Sequence, residues 1–338
     1  MTSPAGAVGP ATRAGEARPG EARTSYVGGT GWSDYADVLV DVQIGYACNV
    51  QCDYCSITDG MRRENMSIAS AMSILSDARS RGASKVAFGG GEPTIRRGLL
   101  PLIRWCRDRG YTSIKVASNG MMYSYPAYAE EAVAAGLNDF HISFMAHTPE
   151  LYASIMGKKE AFDLVNRGVR NLASLGHKPV GELIIKSDTW MHLADIVEYW
   201  AGMGVEKFNL WLVSLSDRNR DNLASLLPVS EMRAGIYAAF DRGNDLGVTV
   251  LSRHIPRCML PGYEQHVADL REDRVLVVTP NSTFTLWESR ISPNAYGARC
   301  ERCVHKDGVC LGLRLDYLER YGDGEVRPRE ESEATTRS

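Results

Sequence analysis

A chain of 338 residues with 44% hydrophobic content can build one large domain and a small appendage around an ample core, so its stability does not require disulfides. A formal net charge of -3 and a pI near 6.2 carry no global basic bias, which argues against a nucleic-acid or anionic-membrane surface. Residues 1–30 lack the apolar core of a signal peptide and no later run reaches membrane-spanning length, so the expected location is the cytoplasm.

Half of residues 1–30 are Ala, Gly or Pro without apolar periodicity, and 1–36 read as a disordered N-terminal tail. From 37 to 250, short β-branched or aromatic runs alternate with longer helical patterns. Strands are expected over 38–46, 84–89, 112–118, 138–144, 180–186 and 206–213. The helices that separate them are expected near 66–81, 97–109, 126–135, 160–175, 190–203 and 229–245. Six βα units predict an α/β fold, a partial (β/α)6 TIM-like barrel, whose functional loops lie beyond the carboxyl ends of the strands. A small cysteine-rich unit follows over 251–320, and the polar stretch 321–338, rich in Glu and Arg, reads as a second tail.

Eight cysteines in a chain without a secretory signal are better read as metal ligands or core thiols than as a disulfide framework. Their bunching favours ligands. Cys48, Cys52 and Cys55 form a Cys-x3-Cys-x2-Cys triplet at the end of the first strand, and three thiolates can hold three irons of a cubane while leaving the fourth open. One zinc ion would call for a fourth Cys or His close by. At the end of the second strand stands Gly90-Gly91-Glu92-Pro93, where glycines admit close backbone approach and a carboxylate can take an ammonium group. The one-plus-three set of Cys258 with Cys300, Cys303 and Cys310 suits either an iron–sulfur cluster or a structural zinc. Cys106 sits among apolar neighbours on a helix and reads as a core thiol.

The cysteine triplet with aromatic Tyr54 before its last member, followed one βα unit later by the glycine-rich motif, resembles the radical S-adenosylmethionine (SAM) superfamily. That resemblance implies a [4Fe-4S] cluster on Cys48, Cys52 and Cys55, with SAM chelated at its open iron and cleaved to a 5′-deoxyadenosyl radical. It places Tyr54, Gly90, Gly91, Glu92 and Pro93 around the cofactor, and Ser118, Asn119 and Ser143 at its ribose or carboxylate. Ordinary turn chemistry is the competing reading of Asn119-Gly120. The resemblance also implies a flavodoxin- or ferredoxin-type electron donor. For Cys258, Cys300, Cys303 and Cys310 it implies a twitch-type domain with one auxiliary iron–sulfur cluster of the [4Fe-4S] kind, the cysteines being too few for the two clusters of a SPASM domain.

Strand alternation puts Glu182 and Lys186 on one face of the fifth strand, His141 and Ser143 on one face of the fourth, and Asn209 and Trp211 on one face of the sixth. Polar side chains on a central strand are expensive unless paired or used, so these are expected to face the cavity. A mutual ion pair of Glu182 with Lys186, a core hydrogen bond for His141 and an idle loop position for His254 are the plainer readings. The expected chemistry, by resemblance to alcohol dehydrogenases and epimerases of aminocyclitol and aminoglycoside antibiotic pathways of the spectinomycin type, is oxidation of a small polyol, aminocyclitol or sugar to a ketone. Glu182 or His141 is the expected base, Lys186 the group that orients substrate, and the auxiliary cluster the electron acceptor. Epimerisation would need a hydrogen donor such as a cysteine facing the cavity, and Cys106 is the one cysteine outside both sets. A peptide maturase is expected to carry a leader-recognition domain ahead of the barrel, for which 36 residues leave no room. A cyclase of molybdopterin synthesis is expected to end in Gly-Gly rather than Thr335-Thr-Arg-Ser338.

Overall fold

The computed structural model describes residues 32–268, 273–286 and 293–329. Every expected βα unit is present. The strands and helices run β1 (Leu39–Gln43), α1 (Ile68–Ser80), β2 (Lys85–Gly89), α2 (Leu99–Asp108), β3 (Ser113–Ser118), α3 (Pro126–Ala135) and β4 (Asp139–Ser143). They continue as α4 (Pro149–Met156), α5 (Ala161–Ser174), β5 (Val180–Ile185), α6 (Leu193–Ala201), β6 (Lys207–Leu212), α7 (Val229–Leu246) and β7 (Thr249–Ser252). The C-terminal region adds β8 (Val275–Val278), β9 (Thr283–Thr285), β10 (Asn294–Ala295), β11 (Leu313–Arg314) and α8 (Leu315–Tyr321). The sequence reading lacked α4, β7 to β11 and α8, all short.

The sheet order is β7-β6-β5-β4-β3-β2-β1-β8-β9, parallel throughout except for the β8–β9 pair. Period-two alternation separates its two faces. Val40, Val42, Phe140, Ile142, Leu183, Ile185, Phe208 and Leu210 are fully buried beneath the helices. Leu39, Asp41, Gln43, Lys115, His141, Ser143, Glu182, Asn209 and Trp211 instead line the concave side. The apolar core therefore lies between sheet and helices, and the barrel lumen sets polar side chains among apolar ones. Helix α5 shows the complementary pattern, burying Phe162, Val165, Val169 and Leu172 at helical spacing. Trp200 of α6 stacks on Phe144 at 4.1 Å and donates its indole N–H to the Ala146 carbonyl, satisfying the one polar atom that it buries.

Part of each expected tail, residues 32–36 and 321–329, packs on the rest of the described chain. Tyr35 is fully buried beneath Arg81, and Trp32 stacks under Arg274, so residues 32–36 pack on the barrel; the rest of the expected N-terminal tail lies outside the described residues. At the other end Val326 is buried, Glu325 accepts from Tyr317 and Ser230, and the Arg329 carbonyl accepts from Val304 N–H. Residues 321–329 are thus part of the cysteine-rich unit, their charged side chains having masked the few contacts that hold them.

Candidate active site

One cavity of about 630 Å³ fills the lumen and gathers most of the sequence-predicted residues, from Cys48, Cys52, Tyr54 and Cys55 to Ser118, Asn119, Ser143, His141 and Glu182. The cysteine loop leaves β1 and is pinned from several sides. Lys186 pairs with Asp53 at 2.8 Å, Arg218 donates to the Cys52 carbonyl at 3.2 Å, and Asn119 donates to Asn49 at 2.8 Å. Burial and the neighbouring thiols push the Cys52 thiol up to about 12, and burial also raises Cys48. Such thiols are protonated when free and release protons on taking iron.

The glycine motif closes this loop from the β2 side. Gly91 N–H donates to the Gly45 carbonyl and Glu92 N–H to the Ala47 carbonyl, both at 2.9 Å. A Cβ on Gly91 would stand 2.3 Å from the Ala47 oxygen, and one on Gly90, whose φ is +128°, would stand 2.1 Å from the Gly45 oxygen. Only glycine fits either place. Gly89, Gly90 and Gly91 line the cavity, but Glu92 does not. Its carboxylate is buried and accepts from Thr94 N–H, Ser118 Oγ at 2.8 Å and Asn119 N–H at 2.7 Å. Glu92, expected at the SAM ammonium, is thus bonded within the protein at the edge of this loop. Oε1 takes the Thr94 and Ser118 donors and Oε2 the Asn119 N–H, joining β2 to β3, with Pro93 starting the turn behind it, and main-chain atoms of residues 89–91 are what the glycines present to the cavity.

Deeper in the lumen His141 bridges two carboxylates, its Nδ1 against Glu182 and its Nε2 3.1 Å from Asp139. Burial would lower the imidazole, but the bonds to Asp139 and Glu182 outweigh it and raise His141 above its ordinary value. Burial likewise acts upward on Glu182, yet His141, Trp211 and Asn209 donate to its oxygens and hold it below the usual carboxylate range. Each partner thus favours the charged form of the other. Asp41, which the sequence reading did not single out, faces the same lumen from β1, and burial lifts it to about 6 despite the pull of Lys115 and the Gln43 hydrogen bond. Its signal was available, since Leu39, Asp41 and Gln43 share one face of the first strand.

Lys186 departs from expectation. It is buried, bonded to Asp53 and Asp188, and absent from the cavity wall, so it braces the cysteine loop rather than meeting substrate. The strand ends at Ile185, and Lys186 N–H turns to Thr189 Oγ1, so the inward phase of Glu182 does not carry on to position 186. Cys106 is fully buried on α2 and lies apart from the cavity.

Cys258, Cys300, Cys303 and Cys310 converge on a second, small pocket walled by Pro256, Tyr296, Leu313 and Val326. The hairpin of β10 and β11 forms one side, and Gly312 N–H donates to Cys310 Sγ at 3.3 Å. Ligands of one tetrahedral zinc at about 2.3 Å from the metal stand about 3.8 Å apart. Among the described residues, only His147, His192 and Asp195 converge closely enough to grip a single ion, within 4.8 Å. His254 stands between the two pockets, edge-on to Trp211 at 4.8 Å, and burial together with Arg314 lowers it to about 3. It is a neutral packing residue.

Residues 42–200 match the family model described as the radical SAM superfamily. Among curated proteins the chain is similar to "Probable GTP 3′,8-cyclase" of Saccharolobus islandicus strain M.14.25, 26% identical over 172 residues, which cover 50% of this chain and 54% of that one. The protein of that name from Methanococcus aeolicus is 30% identical over 171 residues, covering 48% and 56%. The chain thus spans about half the length of the curated relatives it matches. Among solved structures, SuiB of Streptococcus suis bound to S-adenosylmethionine superposes with a TM-score of 0.66 at 12% identity, covering 88% of this chain and 77% of SuiB. A chain titled native anSMEcpe with bound AdoMet and Kp18Cys peptide does so with a TM-score of 0.50 at 17% identity, covering 60% and 59%. These two show the fold. The matched family is one whose members carry SAM and a [4Fe-4S] cluster, and in this chain the cysteine loop and the backbone of residues 89–91 line one cavity. No helix among the described residues is long and apolar enough to cross a membrane.

Proposed function

With a radical SAM domain over residues 42–200 as the premise, we propose that the chain oxidises a carbinol carbon of a small polyol, aminocyclitol or sugar to a ketone. The observation that carries this reading is the lumen, a half-open space of about 630 Å³ that places the Glu182 carboxylate, held below the usual carboxylate range, in the same cavity as the cysteine loop. Bound there, SAM and its cluster supply a hydrogen-abstracting 5′-deoxyadenosyl radical, and an auxiliary cluster on Cys258, Cys300, Cys303 and Cys310 supplies an electron acceptor.

The residues of the chain do the rest. Glu182 accepts the hydroxyl proton of the substrate. Asn209 and Trp211 aim its carboxylate, and His141 offsets its charge while Asp139 holds the far ring nitrogen. His141 is therefore a positioning residue, both its nitrogens being engaged. Asp41, Gln43 and Lys115 offer further polar contacts to a hydroxylated ligand from β1 and β3. Cys106, remote from the cavity, is unavailable as a hydrogen donor, which favours oxidation over epimerisation. A place in antibiotic biosynthesis and a flavodoxin- or ferredoxin-type donor belong to the same proposal.

The test begins with iron and sulfide per chain after anaerobic reconstitution, in wild type and in a triple variant with Cys48, Cys52 and Cys55 replaced by Ala. About eight irons falling to about four is expected. The reconstituted protein is then offered a panel of cyclitols and aminocyclitols, with 5′-deoxyadenosine and trapped ketone measured. Equimolar 5′-deoxyadenosine and ketone, with substrate deuterium recovered in the former, is the expected outcome. Zinc in the C-terminal site, or an inverted alcohol in place of a ketone, would refute the oxidation.

A further inference from the structure

Outside the lumen, three side chains with metal-binding chemistry meet beyond the carboxyl ends of β4 and β5. His147 follows β4, while His192 and Asp195 sit at the start of α6, after β5. One ligand atom from each lies within 4.8 Å of the other two. The three do not satisfy one another. His147 Nε2 and Asp195 Oδ2 are 4.0 Å apart, too far for a hydrogen bond, and the two imidazole rings stand 5.5 Å apart and tilted without a bond between them. His147 Nδ1 is also buried without a partner among the described residues. A polar group in that position costs free energy unless something outside the protein's own atoms meets the ring.

We propose that His147, His192 and Asp195 bind one borderline divalent cation of the zinc class, Zn²⁺, Co²⁺ or Ni²⁺. Two imidazoles and a carboxylate are the donor set that such ions prefer to thiolate-poor, all-oxygen sites. Ligands at about 2.0–2.2 Å from one ion lie about 3–4 Å from each other, so side-chain rotations of about 1 Å close the observed set around it. Asp195 is 59% exposed at the side chain, which leaves an entry path and room for water on the remaining positions. The ion would staple the connection after β4 to the beginning of α6. Both segments matter to the cavity end of the barrel, because Ser143 closes β4 and Lys186, just ahead of the second segment, braces Asp53.

The test uses the full chain with its clusters reconstituted, so that the cysteines are occupied, and Co²⁺ as an optical probe with Zn²⁺ as competitor. Wild type is expected to take one equivalent of Co²⁺ with ligand-field bands and no new thiolate charge-transfer absorption. Binding should weaken by at least about tenfold in Asp195→Asn and by about a hundredfold or more in a His147→Gln/His192→Gln double variant. Thermal stabilisation by Zn²⁺ should disappear in the double variant. Unchanged stoichiometry and affinity in both variants, absorption showing the ion on thiolates, or no uptake by wild type at millimolar Co²⁺ would each overturn the proposal. Should the double variant fail to keep its iron, the exposed Asp195→Asn decides the matter.

Discussion

Replacing Gly91 by Ala puts a methyl group 2.3 Å from the Ala47 carbonyl oxygen and 2.4 Å from that of Tyr46, both backbone atoms. Relief to an ordinary contact near 3.4 Å requires the two loops to part by about 1 Å. That displacement breaks the Gly91-to-Gly45 and Glu92-to-Ala47 hydrogen bonds, each 2.9 Å long. At about 1 kcal/mol net for each bond, and up to twice that where an orphaned carbonyl stays buried, the cost is ~2–4 kcal/mol. Felt fully at the cofactor, this is a loss of roughly 30- to 1,000-fold in SAM affinity. The assay is calorimetric SAM titration of reconstituted protein, with iron content as the control for loop folding. Gly324→Ala, where an added Cβ meets nothing within 4 Å, should behave as wild type. A Gly91→Ala protein holding normal iron and binding SAM within twofold of wild type would refute the close-approach argument.

Three further outcomes follow from the lumen and its supports. Glu182→Gln should lower turnover by roughly 10²–10⁴ while leaving SAM affinity within about twofold, measured by 5′-deoxyadenosine formation and by calorimetry. The His141–Glu182 pair sets a pH window for stability. The part due to raised His141 is complete below 6.5 and fades as pH climbs through its folded value, while the part due to depressed Glu182 is complete above 4.5 and fades as pH drops through its folded value. Thermal melts should therefore show the pair at full strength between about 4.5 and 6.5, with a decline on the alkaline side that His141→Gln abolishes. Lys186→Met should cost ~1–3 kcal/mol of stability and speed loss of iron from the cysteine loop, with substrate KM unchanged; a raised KM at intact iron content would return Lys186 to substrate binding.

The barrel strands were legible because period-two alternation is a local signal: Asp139, His141 and Ser143 declare one face of β4 and Phe140 and Ile142 the other. The cysteine loop and Gly90-Gly91 were legible for a similar reason, their chemistry being written in contiguous residues. What the sequence concealed is non-local. The His141–Glu182 contact joins residues 41 apart, and whether the imidazole meets one carboxylate or two depends on the register of β4 against β5. Lys186 misled because alternation was carried one residue past the true end of the strand. The bonds of Glu92 were hidden because its donors Ser118 and Asn119 come from the end of another strand, and a carboxylate beside a ligand loop looks alike in sequence whether or not it also braces the loop. The strand β8, a buried Val-Leu-Val-Val run, pairs with β1 across more than 200 residues of chain, beyond the reach of any window.

The segment leaving β6 has a consequence of its own. Buried Arg314 donates to the carbonyls of Leu212 and Val213, and Asp316 accepts from Leu215 N–H, so the cysteine-rich unit grips this segment at its root. Three residues later Arg218 reaches the Cys52 carbonyl, and its own N–H donates to Ser56. The two sulfur-bearing regions are thereby the ends of one short lever. A change of residues at the four-cysteine pocket therefore reaches the cysteine loop of the barrel through backbone and side-chain bonds that lie outside the lumen wall.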